Sequence, residues 1–417
     1  MILRTILMCL TLLSLGFAQT DIFMKIKPTN FQPVRVIVAP FTSETHPEIA
    51  QRVRQILIDD LNYSGYVTVV AKPDTARGFL VESADMLAEA QLSLESGKLL
   101  CNFTLKELLT NWTLINKKFN HPSGAERALA HTIADEVVYR LTGESGIART
   151  KIAFVRVIDK YKELALMDYD GANQQVLTSL KSIGLSPDWS PDGKQLIFSS
   201  LIPAQHLASQ LVIFNFASNQ ISRLTQIVGP ATSPVFSPDG KKIAFSLTTN
   251  GNTDIYVSDT HGNNLRRLTQ NPGIDTSPAW SPNGKSLAFT SDRSGSPQIY
   301  LMDADGANIR RLTYNNDYNA SPAWSPRGDV IAYESQESNG FQIYLITPDG
   351  EEVQCITDRT ASYADPVWAP NGLHLACASN RTGKWEIYSM YLDGSRLKRL
   401  TFSGNNTQPA WSPSFNR

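Results

Sequence analysis

The sequence predicts a mainly β protein: a six-bladed β-propeller preceded by a small α/β domain. Three observations carry that expectation. A motif of the form Ser-Pro-x-Trp-Ser-Pro-Asp-Gly recurs around Trp189, Phe236, Trp280, Trp324, Trp368 and Trp411, at spacings of 47, 44, 44, 44 and 43 residues. A period near 44 belongs to propeller blades, each a four-stranded antiparallel sheet. Within one period the turn residues divide the chain into four strands, and residues 19–146 lack the motif altogether. The expected organisation is a cleaved export signal over 1–18, an α/β domain over 19–146 and the propeller over 147–417.

The best-formed repeat runs from Ser277 to Thr313. Its first strand is Pro278–Ser281, reversed by Pro282-Asn-Gly284, where Pro presets φ and Gly supplies a positive φ. Strand two is Ser286–Thr290, with apolar residues in alternation. A polar loop then leads to strand three, Gln298–Met302, and Asp303-Ala-Asp-Gly306 turns into strand four, Arg310–Thr313. Pro and Gly recur too often for a helix of useful length. Six Leu-Thr or Ile-Thr endings match the six strand-one motifs, but out of phase. The first repeat opens at Lys151–Val155, which reads as strand two, whereas Pro409–Ser412 is a strand one with no repeat after it. The C-terminal strand is therefore expected to complete the first blade, leaving no exposed edge.

The N-terminus reads as a secretory signal. Arg4 supplies the positive region, Ile6–Phe17 is largely apolar, and Gly16 and Ala18 occupy the −3 and −1 positions of a cleavage site before Gln19. The apolar run is too short to span a bilayer, and no later segment is apolar enough to do so. A net charge of −1 offers no basic field for nucleic acid or anionic membrane. With Cys9 removed, Cys101, Cys355 and Cys377 remain. A Cys355–Cys377 disulfide stays open, but both occupy apolar strand positions and read as buried thiols. No metal-ligand spacing occurs, and no cofactor is implied.

In the N-terminal part, Val34–Ala39 reads as a buried strand and residues 47–62 as a helix with Ile49, Val53, Ile56, Leu57 and Leu61 on one face. Further strands are expected at Tyr66–Val70 and Lys98–Leu105, and a second helix at Ala125–Leu141, stopped by Gly143. The junction residues Ala130-His-Thr-Ile-Ala-Asp-Glu-Val137, Leu141-Thr-Gly143 and Thr150-Lys-Ile-Ala-Phe-Val155 resemble those of the TolB family of the Tol-Pal cell-envelope system. So do Leu185-Ser-Pro-Asp-Trp-Ser-Pro-Asp-Gly193 and the Arg-Arg-Leu-Thr endings, and the likeness spans nearly the whole mature chain. Residues 79–120 match the family poorly.

Catalytic alternatives find little support in the residues. No Gly-x-Ser-x-Gly nucleophile elbow occurs, and the chain reaches Arg417 directly after the closing strand, so no C-terminal hydrolase domain is expected. The Asp-x-Asp-Gly turns lack the Glu an EF-hand requires and read as turns between strands three and four. His131 has no nucleophile near it in sequence and is expected to serve structure or the domain interface. A non-enzymatic binding protein follows; the alternative is a propeller enzyme or lectin holding a small ligand in the central channel.

Binding then belongs to a surface. In each blade the loops from strand one to two and from three to four share one face, while those from two to three and from four to the next strand one share the other. The four-to-one loops (226–233, 270–277, 314–321, 358–365 and 402–408) differ from blade to blade, which marks a recognition surface. The resemblance implies that this face binds the peptidoglycan-associated lipoprotein Pal, which some bacteriocins imitate. On family positions Thr232, Ser233, Thr276 and Ser277 are contact residues, and Pro230 replaces a contacting His. Asp275, Asn319, Tyr363 and Asn406 are further polar loop residues expected near the same mouth. The family's second surface is the mature N-terminus, here Gln19–Lys27 with Asp21, Ile22, Phe23 and Met24, which the resemblance implies binds the inner-membrane protein TolA. A periplasmic monomer is expected.

Overall fold

The computed structural model describes residues 32–70, 84–201, 209–224 and 227–415. The expected export signal, and the N-terminal segment with Asp21, Ile22, Phe23 and Met24, lie outside them. Among the described residues no helix is long and apolar enough to cross a membrane.

The N-terminal unit contains β1 (Val34–Val38), α1 (Pro47–Tyr63), β2 (Val67–Val70), β3 (Met86–Glu95), β4 (Lys98–Glu107), β5 (Thr113–Pro122) and α2 (Glu126–Thr142). Its sheet has the order β2-β1-β3-β4-β5, with β1 parallel to β2 and β3 and the remaining pairs antiparallel. Pro47 opens α1, where its missing N–H costs nothing. Gly143, at φ 76°, ends α2 and donates its N–H to the Tyr139 carbonyl at 2.7 Å. Val53, Leu57 and Leu61 of α1 and Leu129, Ile133 and Val137 of α2 are buried together with the sheet's inner face. Strands β3 and β5 have no counterpart in the sequence reading. β3 is rich in Ala, Leu, Glu and Gln, and only its place between β1 and β4 makes it a strand.

The propeller consists of six four-stranded units. Blade 4 is representative: Asp275–Trp280, Ser286–Ser291, Gln298–Asp303 and Arg310–Arg311, paired antiparallel in sequence order. Blade 1 closes as the phase of the repeat requires. The C-terminal strand Asn406–Trp411 pairs with Lys151–Ile158, with Thr407 opposite Val155 and Ala410 opposite Ala153. Blades 1 and 2 are further linked by one parallel bridge, Lys162 to Ile183. Apolar layers fill the spaces between blades; Ile255, Val257 and Leu268 of blade 3, for example, pack on Trp280, Leu287 and Phe289 of blade 4.

The repeated sequence signatures have local causes. Strand four is shorter than expected, because after Arg310–Arg311 the Thr of the Leu-Thr ending takes over from the ladder. Thr313 Oγ1 accepts the Ile299 N–H at 2.9 Å and donates to Gln298 Oε1 at 2.8 Å. Thr178 on Glu163 and Thr357 on Gln342 repeat this latch. The Asp-x-Asp-Gly turns need Gly for two reasons. Gly306 sits at φ 88°, and a Cβ there would lie 2.7 Å from the Leu268 carbonyl of the preceding blade. Asp303 and Asp305 in that turn hydrogen-bond Asn308 and the Ala307 N–H. Trp189 and Trp368 donate their indole N–H to the inner strands of neighbouring blades, at Ala410 O and Ala323 O, both 3.0 Å. Cys101, Cys355 and Cys377 are free thiols; Cys101 and Cys377 are buried, whereas Cys355 is half-buried.

Candidate functional site

Each inner strand carries a one-residue β-bulge at the step into its Pro, which follows Ser in four blades, Asp365 in blade 6 and Gln408 in blade 1. In blade 4 Thr276 faces Thr290 and Ala279 faces Ala288, so one extra residue is inserted. The residue before each Pro adopts a left-handed φ of 50° to 52°: Ser186, Ser233, Ser277, Ser321, Asp365 and Gln408. Repeated six times, this costly backbone conformation is part of the ring's design rather than a local accident. It turns backbone N–H groups toward the preceding blade, so that Ser277 donates to Ser246 Oγ and Ser321 to Thr290 Oγ1, both at 3.2 Å. These six residues and their prolines line a central channel of about 320 Å³.

Three acids break the repeat here: Asp188 and Asp365 line the channel, and Glu334 is bonded to the channel residues Ser321 and Asp365. Asp188 stands where other blades carry Val or Ala, Asp365 where four of them carry Ser, and Glu334 where the others carry uncharged residues, Val155, Ser199, Ser246, Thr290 and Ala378. Asp188 accepts the Phe236 N–H at 2.7 Å, and loss of hydration in the channel wall lifts its carboxyl to about 7. Glu334 accepts the Asp365 N–H at 3.1 Å, and Asp365 accepts the Gln408 N–H at 3.2 Å. Both lie above the ordinary carboxylate range, through desolvation first, with the neighbouring Asp365 charge adding to the rise on Glu334. Sequence reading missed all three. The available signal was their departure from otherwise regular repeat positions.

The residues expected to bind divide into two groups. Thr232, Ser233, Thr276 and Ser277 come together on adjacent inner strands and are half-buried, with Ser233 and Ser277 on the channel wall. Asp275, Asn319, Tyr363 and Asn406, expected as loop residues near the mouth, are instead completely buried at the first position of each inner strand. The chain dives inward there, and its polar groups must be satisfied within the protein. Asp275 takes two hydrogen bonds from Arg293, at 2.9 and 3.0 Å, and one from Asn271 at 2.8 Å. Asn319 donates to Gln298 Oε1 at 2.8 Å, Tyr363 to Asp358 Oδ1 at 2.9 Å and Asn406 to Glu386 Oε2 at 2.7 Å. These four side chains hold the loops in shape. The loops themselves expose other residues, Val228, Ile274, Tyr314 and Phe402.

The opposite face carries the N-terminal unit. Asp60 of α1 accepts the Tyr169 hydroxyl at 2.5 Å and pairs with His131 of α2 at 2.6 Å, all three buried. His131 thus sits at the domain interface, as its sequence context suggests, with its ring edge-on to Tyr169. Burial raises the Asp60 carboxyl despite the His131 and Tyr169 hydrogen bonds, which pull the other way. Arg127 binds Asp170 in the same turn at 2.9 Å. Tyr63 stacks on His374, whose Nε2–H donates to the Tyr63 carbonyl at 2.7 Å, and Arg327 donates to the Tyr66 hydroxyl at 2.9 Å. Every propeller residue named here belongs to a one-to-two or three-to-four turn, or to a strand end beside one, in blades 1, 5 and 6.

Comparison with known proteins agrees with this arrangement. A family model described as TolB beta propeller domain matches residues 138–415. The Tol-Pal system protein TolB of Dinoroseobacter shibae is 34% identical over 250 residues, covering 55% of each chain. That of Geobacter metallireducens is 37% identical over 162 residues, 36% of this chain and 38% of the relative. The chain spans about half the length of the curated relatives it matches, or less. The crystal structure of TolB from Acinetobacter baumannii superposes with a TM-score of 0.78 at 26% identity, covering 92% of this chain and 97% of that one. The family model spans the propeller and the solved TolB shares the fold over most of both chains, and the chain belongs to the TolB family of the Tol-Pal system.

Proposed function

We propose that this chain is a periplasmic, non-enzymatic adaptor that binds Pal through the four-to-one face of its propeller. In this reading the N-terminal segment, residues 19–27, engages TolA. The adaptor then couples an inner-membrane complex to the outer membrane, for envelope integrity and constriction at division. The observation that carries the reading is the asymmetry of the ring. The N-terminal unit occupies the turn face through the contacts of Asp60, Arg127 and Tyr63, while the variable loops lie on the other face. The test is a titration of the mature chain with a soluble cognate Pal domain. Binding in the micromolar range or tighter is expected, weakened at least about tenfold by Thr232→Glu together with Thr276→Glu, since charges desolvated without partners cost several kcal/mol. Absence of binding at micromolar concentration contradicts the reading.

One observation favours a second reading, a small ligand in the channel: Asp365 lines it and Glu334 lies against Asp365, both with raised carboxyls. Both acids also accept backbone N–H groups of the bulges, which gives them a structural task. Saturable turnover or binding in a screen of glycans and peptide substrates, abolished by Glu334→Gln, is the result that supports this reading over the adaptor.

A further inference from the structure

The repeat also offers a way to read how the free face grips its partner. After the Leu-Thr ending, the next residue begins the four-to-one loop, and the Arg two places before the Thr lies beneath it. In blade 4 the Arg311 guanidinium lies 4.7 Å from the centre of the Tyr314 ring, and in blade 6 Arg399 lies 5.0 Å from that of Phe402. Both guanidinium groups are fixed from behind, since Arg311 Nε donates to the Thr313 carbonyl at 2.6 Å and Arg399 Nε to the Thr401 carbonyl at 2.7 Å. Arg399 also bridges to the buried Glu386 at 3.1 Å. A pinned cation under an aromatic ring restrains the ring while leaving its other side free. Tyr314 is nevertheless 75% exposed and Phe402 70%, and two further loops of the same face expose Val228 at 82% and Ile274 at 52%.

We infer that Tyr314 and Phe402, each propped on its arginine, are the principal anchors of the partner on this face, with Val228 and Ile274 completing an apolar contact. The inference rests on the proposed adaptor function and specifies its interface. Large aromatic side chains that are already ordered lose little entropy on binding and dominate interface energies. The charge pattern points the same way. Between the end of strand four and the start of the next strand one, the described residues include four charged ones, two of either sign, Lys181, Asp317, Asp358 and Arg359, and the last two are tied to Arg381 and Glu337; of the two acids further along, Asp275 is buried and Asp365 lies on the channel wall. These loops suit an apolar, weakly charged patch. Val228, Ile274 and Tyr314 occupy three consecutive loops, while Phe402 lies across the channel mouth from Ile274. A folded domain broad enough to cover the mouth meets all four, whereas an extended segment along one blade does not. In the adaptor reading on which this inference rests, that folded domain is the globular domain of Pal.

The experiment titrates the full mature chain with soluble Pal, comparing the unaltered protein with Tyr314→Ser, Phe402→Ser, the double variant and Tyr314→Phe. Thermal melts of each variant check that these exposed changes leave the fold intact. Each Ser variant is expected to weaken binding about tenfold or more, as loss of an aromatic anchor does. Tyr314→Phe should bind like the unaltered chain, and a tenfold rise in salt should change affinity by less than about threefold, as for an interface without net charge attraction. Failure of the unaltered chain to bind contradicts both the adaptor function and this inference. Binding that survives the double variant, or falls steeply with salt, contradicts this inference alone. Self-association abolished by the same substitutions would assign the face to a second copy of this chain and overturn the proposal.

Discussion

Asp275 shows how a polar residue in a variable loop can belong to the fold rather than to a partner. It is completely buried, and both its carboxylate oxygens accept from Arg293 Nη2. Asp275→Ala leaves that cation without its carboxylate and is expected to cost about 3 kcal/mol, read from urea denaturation; a loss under about 0.5 kcal/mol would contradict the pinning role. Asp188 makes a different prediction. Its carboxyl titrates near 3.8 when unfolded and about 7 when folded. Between these values the folded state holds more protons, so its contribution to stability falls as pH rises through that window and levels off above it. The unaltered chain should therefore lose more stability between pH 5 and pH 8 than Asp188→Asn does, measured as the change in urea midpoint. An equal change in both proteins contradicts the assignment. Sequence could not separate Asp275 from an exposed loop residue, because a polar side chain satisfying buried groups and one facing solvent carry the same letter. The Arg partner lies 18 positions away, and only the folded register brings the two together.

At the scale of elements, the repeat was legible because its turns dictate it. Pro282-Asn-Gly284 and Asp303-Ala-Asp-Gly306 each close with a positive φ, and the phase of the motifs anticipated the pairing of Asn406–Trp411 with Lys151–Ile158. Removing the chain after Gly404 deletes that strand, strips the Trp411 indole from Thr150 and bares an edge on blade 1. The truncated chain should lose cooperative thermal unfolding and self-associate; a cooperative monomeric melt near that of the intact chain argues against closure by this strand. Strands β3 and β5 were not legible, since β3 is composed of helix-forming residues and β5 lies at the sheet edge with few buried positions. The domain junction was partly legible. His131 stood out in sequence, but Tyr169 was hidden inside an ordinary-looking turn. Tyr169→Phe removes one hydrogen bond from the buried Asp60, with an expected cost of about 1–3 kcal/mol. A two-probe denaturation following each domain should show the loss, and a change below about 0.3 kcal/mol would count against the junction.

At the scale of the whole molecule, one ring presents two unlike faces, and division of labour follows from what each face carries. The turn face is committed to the N-terminal unit through buried polar contacts, so the variable loops are what the propeller has left to offer. Those loops expose apolar side chains around a mouth lined by six bulges, which in the proposed adaptor is the surface offered to a partner. The channel acids explain why the same ring can look like a ligand site. They depart from the repeat, yet they spend their oxygens on the backbone of neighbouring blades. The central claim is tested most directly by isothermal titration of the mature chain with its cognate soluble Pal domain. The account predicts one-to-one binding in the micromolar range or tighter that is lost when Tyr314 and Phe402 are both replaced by Ser; no detectable heat or complex at those concentrations would contradict it.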